Sequence, residues 1–158
     1  MRPLALTSTL LLSGAAIAAG TGGIAYPDGY RHWTHVKTML IEPGHPLYGS
    51  FGGIHHLYAN DKALEGYRSG RFPDGARIVF DLLDADSTDH AVTEGARKFT
   101  AVMVKNAKQH PDTGGWGFEA FKGDSHDQRA VGTDGAKACF ACHASQKAHG
   151  YVFSNYRP

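Results

Sequence analysis

Hydrophobic positions in this chain recur mostly with the period of two that marks half-buried strands. The clearest run is Ala76–Leu83, where Ile78, Phe80 and Leu82 are expected to face inward, opposite Arg77 and Asp81. Lys98–Lys105 sets Thr100, Val102 and Val104 on one face and Ala101, Met103 and Lys105 on the other. After the hairpin-type pair Gly114-Gly115, Trp116, Phe118 and Ala120 alternate against Glu119. Thr38–Ile41 reads as a strand stopped by Glu42-Pro43-Gly44, and Ile54–Tyr58 is β-rich and half alternating. Helix signals are fewer. A short helix can start at Tyr30 after Asp28. Lys62–Ser69 has Asn60-Asp61 as its cap and Gly70 as its stop. Ala136–Ser145 can be helical after a polar, loop-like stretch from Gly123 to Gly135, and Phe72-Pro73-Asp74-Gly75 is a turn. These elements predict an α+β fold: a mostly antiparallel sheet of four or five strands, a few short helices, and one helix near the C-terminus.

The first residues are patterned differently. Met1-Arg2-Pro3 precedes an apolar or small run, Leu4 to Ala19, which contains Ala16-Ile17-Ala18. A basic start, a short apolar run and a small-x-small site predict a cleavable secretory signal over residues 1–18. The run is shorter than a bilayer core requires. A soluble domain over 26–158, exported to the periplasm, is therefore expected. Composition sharpens the picture. The 158 residues include 20 glycines and 7 prolines, too many for a simple helical bundle. With 16 Lys+Arg against 15 Asp+Glu there is no basic surplus, so no nucleic-acid partner is expected.

The chemistry lies at Cys139-Phe140-Ala141-Cys142-His143. C-x-x-C-H is the attachment motif of c-type haem. Thiols three apart on a helical turn share a face, so both can add to the vinyl groups of one porphyrin. His143 then supplies the proximal imidazole. One covalent haem c, held by Cys139, Cys142 and His143, is expected. Three other readings of the pair stand beside it. They are a redox C-x-x-C, a small structural disulfide, and a zinc site completed by histidines such as His32 and His35.

Several further segments carry a resemblance: His55-His56-Leu57-Tyr58, Glu65–Phe72, Asp74–Val79, Gly114–Phe118 and Tyr151–Ser154. With the late C-x-x-C-H, their order and spacing resemble the cytochrome P-460 family, closest to its β-sheet cytochromes c-prime. The resemblance runs from about Tyr26 to the end. It implies an antiparallel sheet packed on a haem held from the C-terminal segment, often in a dimer. The family's hydroxylamine-oxidising members cross-link a lysine to the porphyrin from the strand after the Asp-Gly turn. Phe80 stands at that position here. The gas-binding members cap the distal iron face with phenylalanines. Phe80 matches one of these, and Phe51, from a preceding strand, matches the second. Under another register, Lys98 or Lys105 would be the cross-linker.

Of the adjacent His55 and His56, a strand would point only one into such a pocket, as a sixth ligand, proton donor or structural hydrogen-bonder. Met103 is expected in the core. Glu94, Asp81 and Asp84 are the nearest candidates for a proton-relay carboxylate, with exposed charge at a strand end as their expected role. Asp134 reads as a loop or helix-cap residue. No catalytic residue is assigned. The expected function is binding or detoxifying nitric oxide or a similar small ligand at five-coordinate iron, or transferring electrons with a periplasmic redox partner. The alternatives are a lysine-cross-linked oxidoreductase acting on hydroxylamine or nitric oxide, and a six-coordinate electron carrier.

Overall fold

The computed structural model describes residues 23–158, so the expected leader lies outside the described residues. One antiparallel sheet runs in the order β1 (Thr34–Ile41), β2 (Gly53–Ala59), β3 (Arg77–Thr88), β4 (Ala91–Lys105) and β5 (Trp116–Lys122). Each strand pairs with its sequence neighbour, as expected where every connection is short. Helices α1 (Tyr48–Phe51) and α2 (Asp61–Ser69) flank β2, and α3 (Gly135–His143) follows β5. Tyr30–His32 forms one turn of 3-10 helix ahead of β1.

Helix α2 starts and stops where its sequence dictates. The Asn60 side chain accepts from the Ala63 N–H, and Gly70 takes the left-handed conformation that ends the helix. Asn60 also accepts from the Arg77 N–H and donates to the Gly75 carbonyl, tying α2 to the start of β3. The β3–β4 hairpin extends well beyond the apolar run. It turns at Asp89-His90, both at positive φ (52° and 63°), so two non-glycine residues make the left-handed turn a tight hairpin needs.

Both faces of the sheet are covered. On one, α2, α3 and the C-terminal segment pack over Ala59, Ile78, Met103, Trp116 and Phe118. On the other, Tyr30 and the preceding residues cover Tyr58, Val79, Val102 and Phe121. Covering the second face overturns the expectation that Asp81 would be exposed. Its carboxylate is fully buried, accepting from the Tyr30 hydroxyl (2.7 Å), Arg97 Nε (2.7 Å) and Arg31 (3.3 Å). The bond to Asp81 raises the Arg97 guanidinium, and burial followed by the same carboxylate raises the Tyr30 phenol. Glu119 is likewise buried. Burial pushes its carboxyl up, but bonds from Arg129 and the N–H groups of Ala120, Gly132 and Val131 outweigh it and hold it below the usual range.

The far edge of β5 is closed by the returning chain. Lys122 donates to the Gln128 carbonyl and Ala130 to the Ala120 carbonyl. That return delivers the chain to α3 above the first face.

Candidate haem site

Helix α3 sets Cys139, Cys142 and His143 at its C-terminal end. Cys139 is half-buried against the core under α3, Cys142 is exposed, and both thiols are free. Burial, then the charges of Cys142 and Glu119, raise the Cys139 thiol. His143 is partly buried, with the rings of Phe118 and Phe153 at 5.0 and 5.1 Å between centroids. Its Nδ1 donates to the Tyr151 carbonyl at 2.7 Å. A carbonyl only accepts, so the proton sits on Nδ1 and the Nε2 lone pair is left for a metal. Burial lowers the His143 pKa, opposed by that same bond.

The segment carrying Tyr151 is fixed from several sides. Trp116 Nε1 donates to the Gly150 carbonyl (2.8 Å), and the Tyr67 and Ser154 hydroxyls share a hydrogen bond (2.7 Å). Tyr151 itself is left-handed (φ 67°), unusual for a bulky residue and costing about 1–3 kcal/mol. The residue held in that conformation is the one whose carbonyl orients His143.

Further along the same face, register places Leu57, Phe80, Ala101 and Ala120 in one row, then His55, Leu82, Phe99 and Lys122 in the next. The Phe80 ring stacks on His55 (4.4 Å, 24°) and Phe99 (5.9 Å, 19°), so it leans into the second row, away from α3. Phe51 closes the group at 5.8 Å from Phe80 and 6.2 Å from Phe99. Ala101 and Ala120 are left as a low floor between this wall and the residues under α3.

These residues suit a haem. Two free thiols and an imidazole with an unused Nε2 are its attachment and axial donors. The aromatic wall is apolar, and Phe51 and Phe153 remain 38% and 56% exposed, large apolar side chains that the fold itself leaves uncovered.

The remaining expected residues fall as follows. Phe51 ends helix α1 rather than lying in a strand, because Gly52 caps the helix and β2 starts only at Gly53. His55 faces the aromatic wall and is 3% exposed. Burial, then the neighbouring charge of His56, push its pKa down to about 4. His56 lies on the opposite face, bonded to Thr38 (2.8 Å) and Glu94 (2.5 Å). Lys98 donates to the Gly52 carbonyl (3.0 Å) and pairs with Asp84 (3.6 Å). Lys105 donates to the Gly114 carbonyl (2.5 Å) beside Trp116. Asp81 and Glu94 are thus engaged on the far face, while Asp84 pairs with Lys98 beside Gly52, next to Phe51. Met103 lies in the core, and Asp134 precedes α3 without a side-chain cap bond.

Sequence reasoning missed Phe99, although it lies two before Ala101 in the same alternation. It also missed Phe118 and Phe153 as neighbours of His143.

A family model for cytochrome P460 matches residues 27–154. The chain belongs to the cytochrome P460 family. Membership makes it a haem protein, and it covers both the sheet and the C-x-x-C-H segment. No curated protein matches the chain.

Proposed function

We propose that this chain is an exported mono-haem c-type cytochrome that binds nitric oxide or a similar small nitrogen-oxide ligand, or exchanges single electrons with a periplasmic partner. Cys139 and Cys142 would hold the haem by thioether bonds, and His143 Nε2 would be its proximal ligand. When bound, the haem iron supplies a coordination position for a diatomic ligand and a one-electron redox couple.

The chain's residues do the rest. The Tyr151 carbonyl keeps the His143 proton on Nδ1 and fixes the plane of the ring. Phe118 and Phe153 shield that ring from water. Phe51, Phe80 and Phe99 form a wall that excludes water and crowds the approach of a ligand. The observation that carries this reading is the placement of an oriented, Nε2-free His143 and a wall of three phenylalanines over one sheet face. Phe80, standing where a cross-linking lysine is expected in the hydroxylamine-oxidising members, disfavours that chemistry. Lys98 and Lys105 are each bonded elsewhere.

The test is the visible spectrum of the reduced protein before and after nitric oxide is added. A high-spin ferrous spectrum that changes on addition is expected. A sharp low-spin α-band without ligand would mean six-coordinate iron, and a strongly red-shifted Soret band would mean a lysine cross-link.

A further inference from the structure

Across the two rows and Phe51, His55 is the one buried polar side chain; Lys122, at the β5 end of the second row, is exposed. His55 is almost fully buried, yet its Nδ1 is sealed from water with no hydrogen-bond partner among the described residues. Unpartnered buried polar atoms cost free energy, and an orphaned N–H is rarer than an under-satisfied acceptor. The cheaper tautomer therefore leaves Nδ1 as a bare lone pair and puts the proton on Nε2, turning the imidazole into a donor. The ring lies nearly parallel to Phe80 at 4.4 Å, so it also fixes where that phenylalanine stands. Burial keeps the imidazole neutral at physiological pH, so it can donate without bringing a charge into an apolar wall.

We propose that His55 has two roles in the distal pocket: it positions Phe80 by stacking, and through Nε2–H it gives a bound diatomic ligand its one hydrogen bond. This inference rests on the open-coordination reading of the haem site. Of the roles that the sequence left open for this pair of histidines, sixth ligand, proton donor or structural hydrogen-bonder, it assigns His55 that of donor. His56, the other candidate, is committed to Thr38 and Glu94 on the far face.

The experiment uses reduced holoprotein with carbon monoxide as the probe, comparing wild type, His55→Gln and His55→Phe. His55→Phe keeps an aromatic ring against Phe80 and removes the donor. His55→Gln keeps a donor and removes the ring. The infrared C–O stretch should lie higher in His55→Phe than in wild type, and should shift between water and heavy water in wild type but not in that variant. Nitric oxide should leave His55→Phe about tenfold faster, equivalent to about 1.4 kcal/mol. In His55→Gln the stretch should stay near the wild-type value while ligand entry changes as Phe80 loosens. An identical stretch and identical dissociation in wild type and His55→Phe would overturn the inference and leave the open-iron reading standing. Carbon monoxide uptake that appears only in the His55 variants would make His55 an iron ligand and overturn the donor role. No uptake by any of the three would overturn the open-iron reading and this inference with it.

Discussion

Phe51 and Phe80 differ in what their removal should do. Phe51 is a third exposed at the end of a four-residue helix, whereas Phe80 is half-buried in β3 with rings on three sides. Phe51→Ala should speed ligand entry with little loss of stability. Phe80→Ala should speed it as well, but destabilise by somewhat less than the roughly 3–5 kcal/mol of a fully buried phenylalanine. Stopped-flow mixing and urea melts of the two holoproteins check both outcomes. Equal rates in wild type and both variants would remove the wall from the ligand's path. His55 gives a second prediction at this scale. Its folded pKa of about 4 lies below the ordinary 6.5, so the unfolded chain binds its proton more readily. Its contribution to stability is present above pH 6.5 and is lost as pH falls toward 4. In denaturant melts across that window, His55→Gln should show a shallower loss than wild type. An unchanged pH profile would place His55 in contact with solvent. The face that His55 takes was not legible before the structure. Two adjacent histidines on a strand present opposite faces, and only the register with β3 says which meets Phe80.

At the scale of elements, legibility follows how local the signal is. Helix α2 could be read because its cap, stop and apolar positions all lie within Asn60–Gly70. Asn60→Ala should cost about 1–2 kcal/mol in a urea melt, since three bonds leave with one side chain. The outer hairpin of β3 and β4 could not be read. Asp84–Thr88 and Ala91–Arg97 are polar on both faces, and the turn at Asp89-His90 lacks the glycine that marks such a turn. The buried Asp81 was illegible for a different reason. Its partners Tyr30 and Arg97 lie 51 and 16 residues away in the chain, so no local pattern shows that its face is covered. Removing that carboxylate takes the buried Tyr30 hydroxyl's acceptor and leaves the largely buried Arg97 with only the exposed Asp124 as a partner. Asp81→Ala should therefore destabilise the protein by about 3–5 kcal/mol. Because the cluster lies on the face away from His143, the spectrum of the surviving holoprotein should not change. A spectral shift in a folded Asp81→Ala protein would show that the two faces communicate.

For the molecule as a whole, the sheet divides the labour. One face is closed by an ion-paired lid around Asp81, and the other carries α3 with His143 and the wall of Phe51, Phe80 and Phe99. A group that binds only the folded chain stabilises it by linkage, so haem-free protein should melt well below the holoprotein. The motif Cys139–His143 was legible from five residues because its spacing is itself the chemistry. The aromatic wall was legible only in part, because it is assembled from α1, β3 and β4, and Phe51 reaches it from a helix rather than from a strand. Covalent attachment of one haem to Cys139 and Cys142 is tested most directly by the mass of the acid-denatured protein. Wild type should show the chain plus one haem. The double variant Cys139→Ala, Cys142→Ala should show the chain alone. Haem that extracts from the wild type into acid butanone, leaving the bare chain mass, would contradict the account.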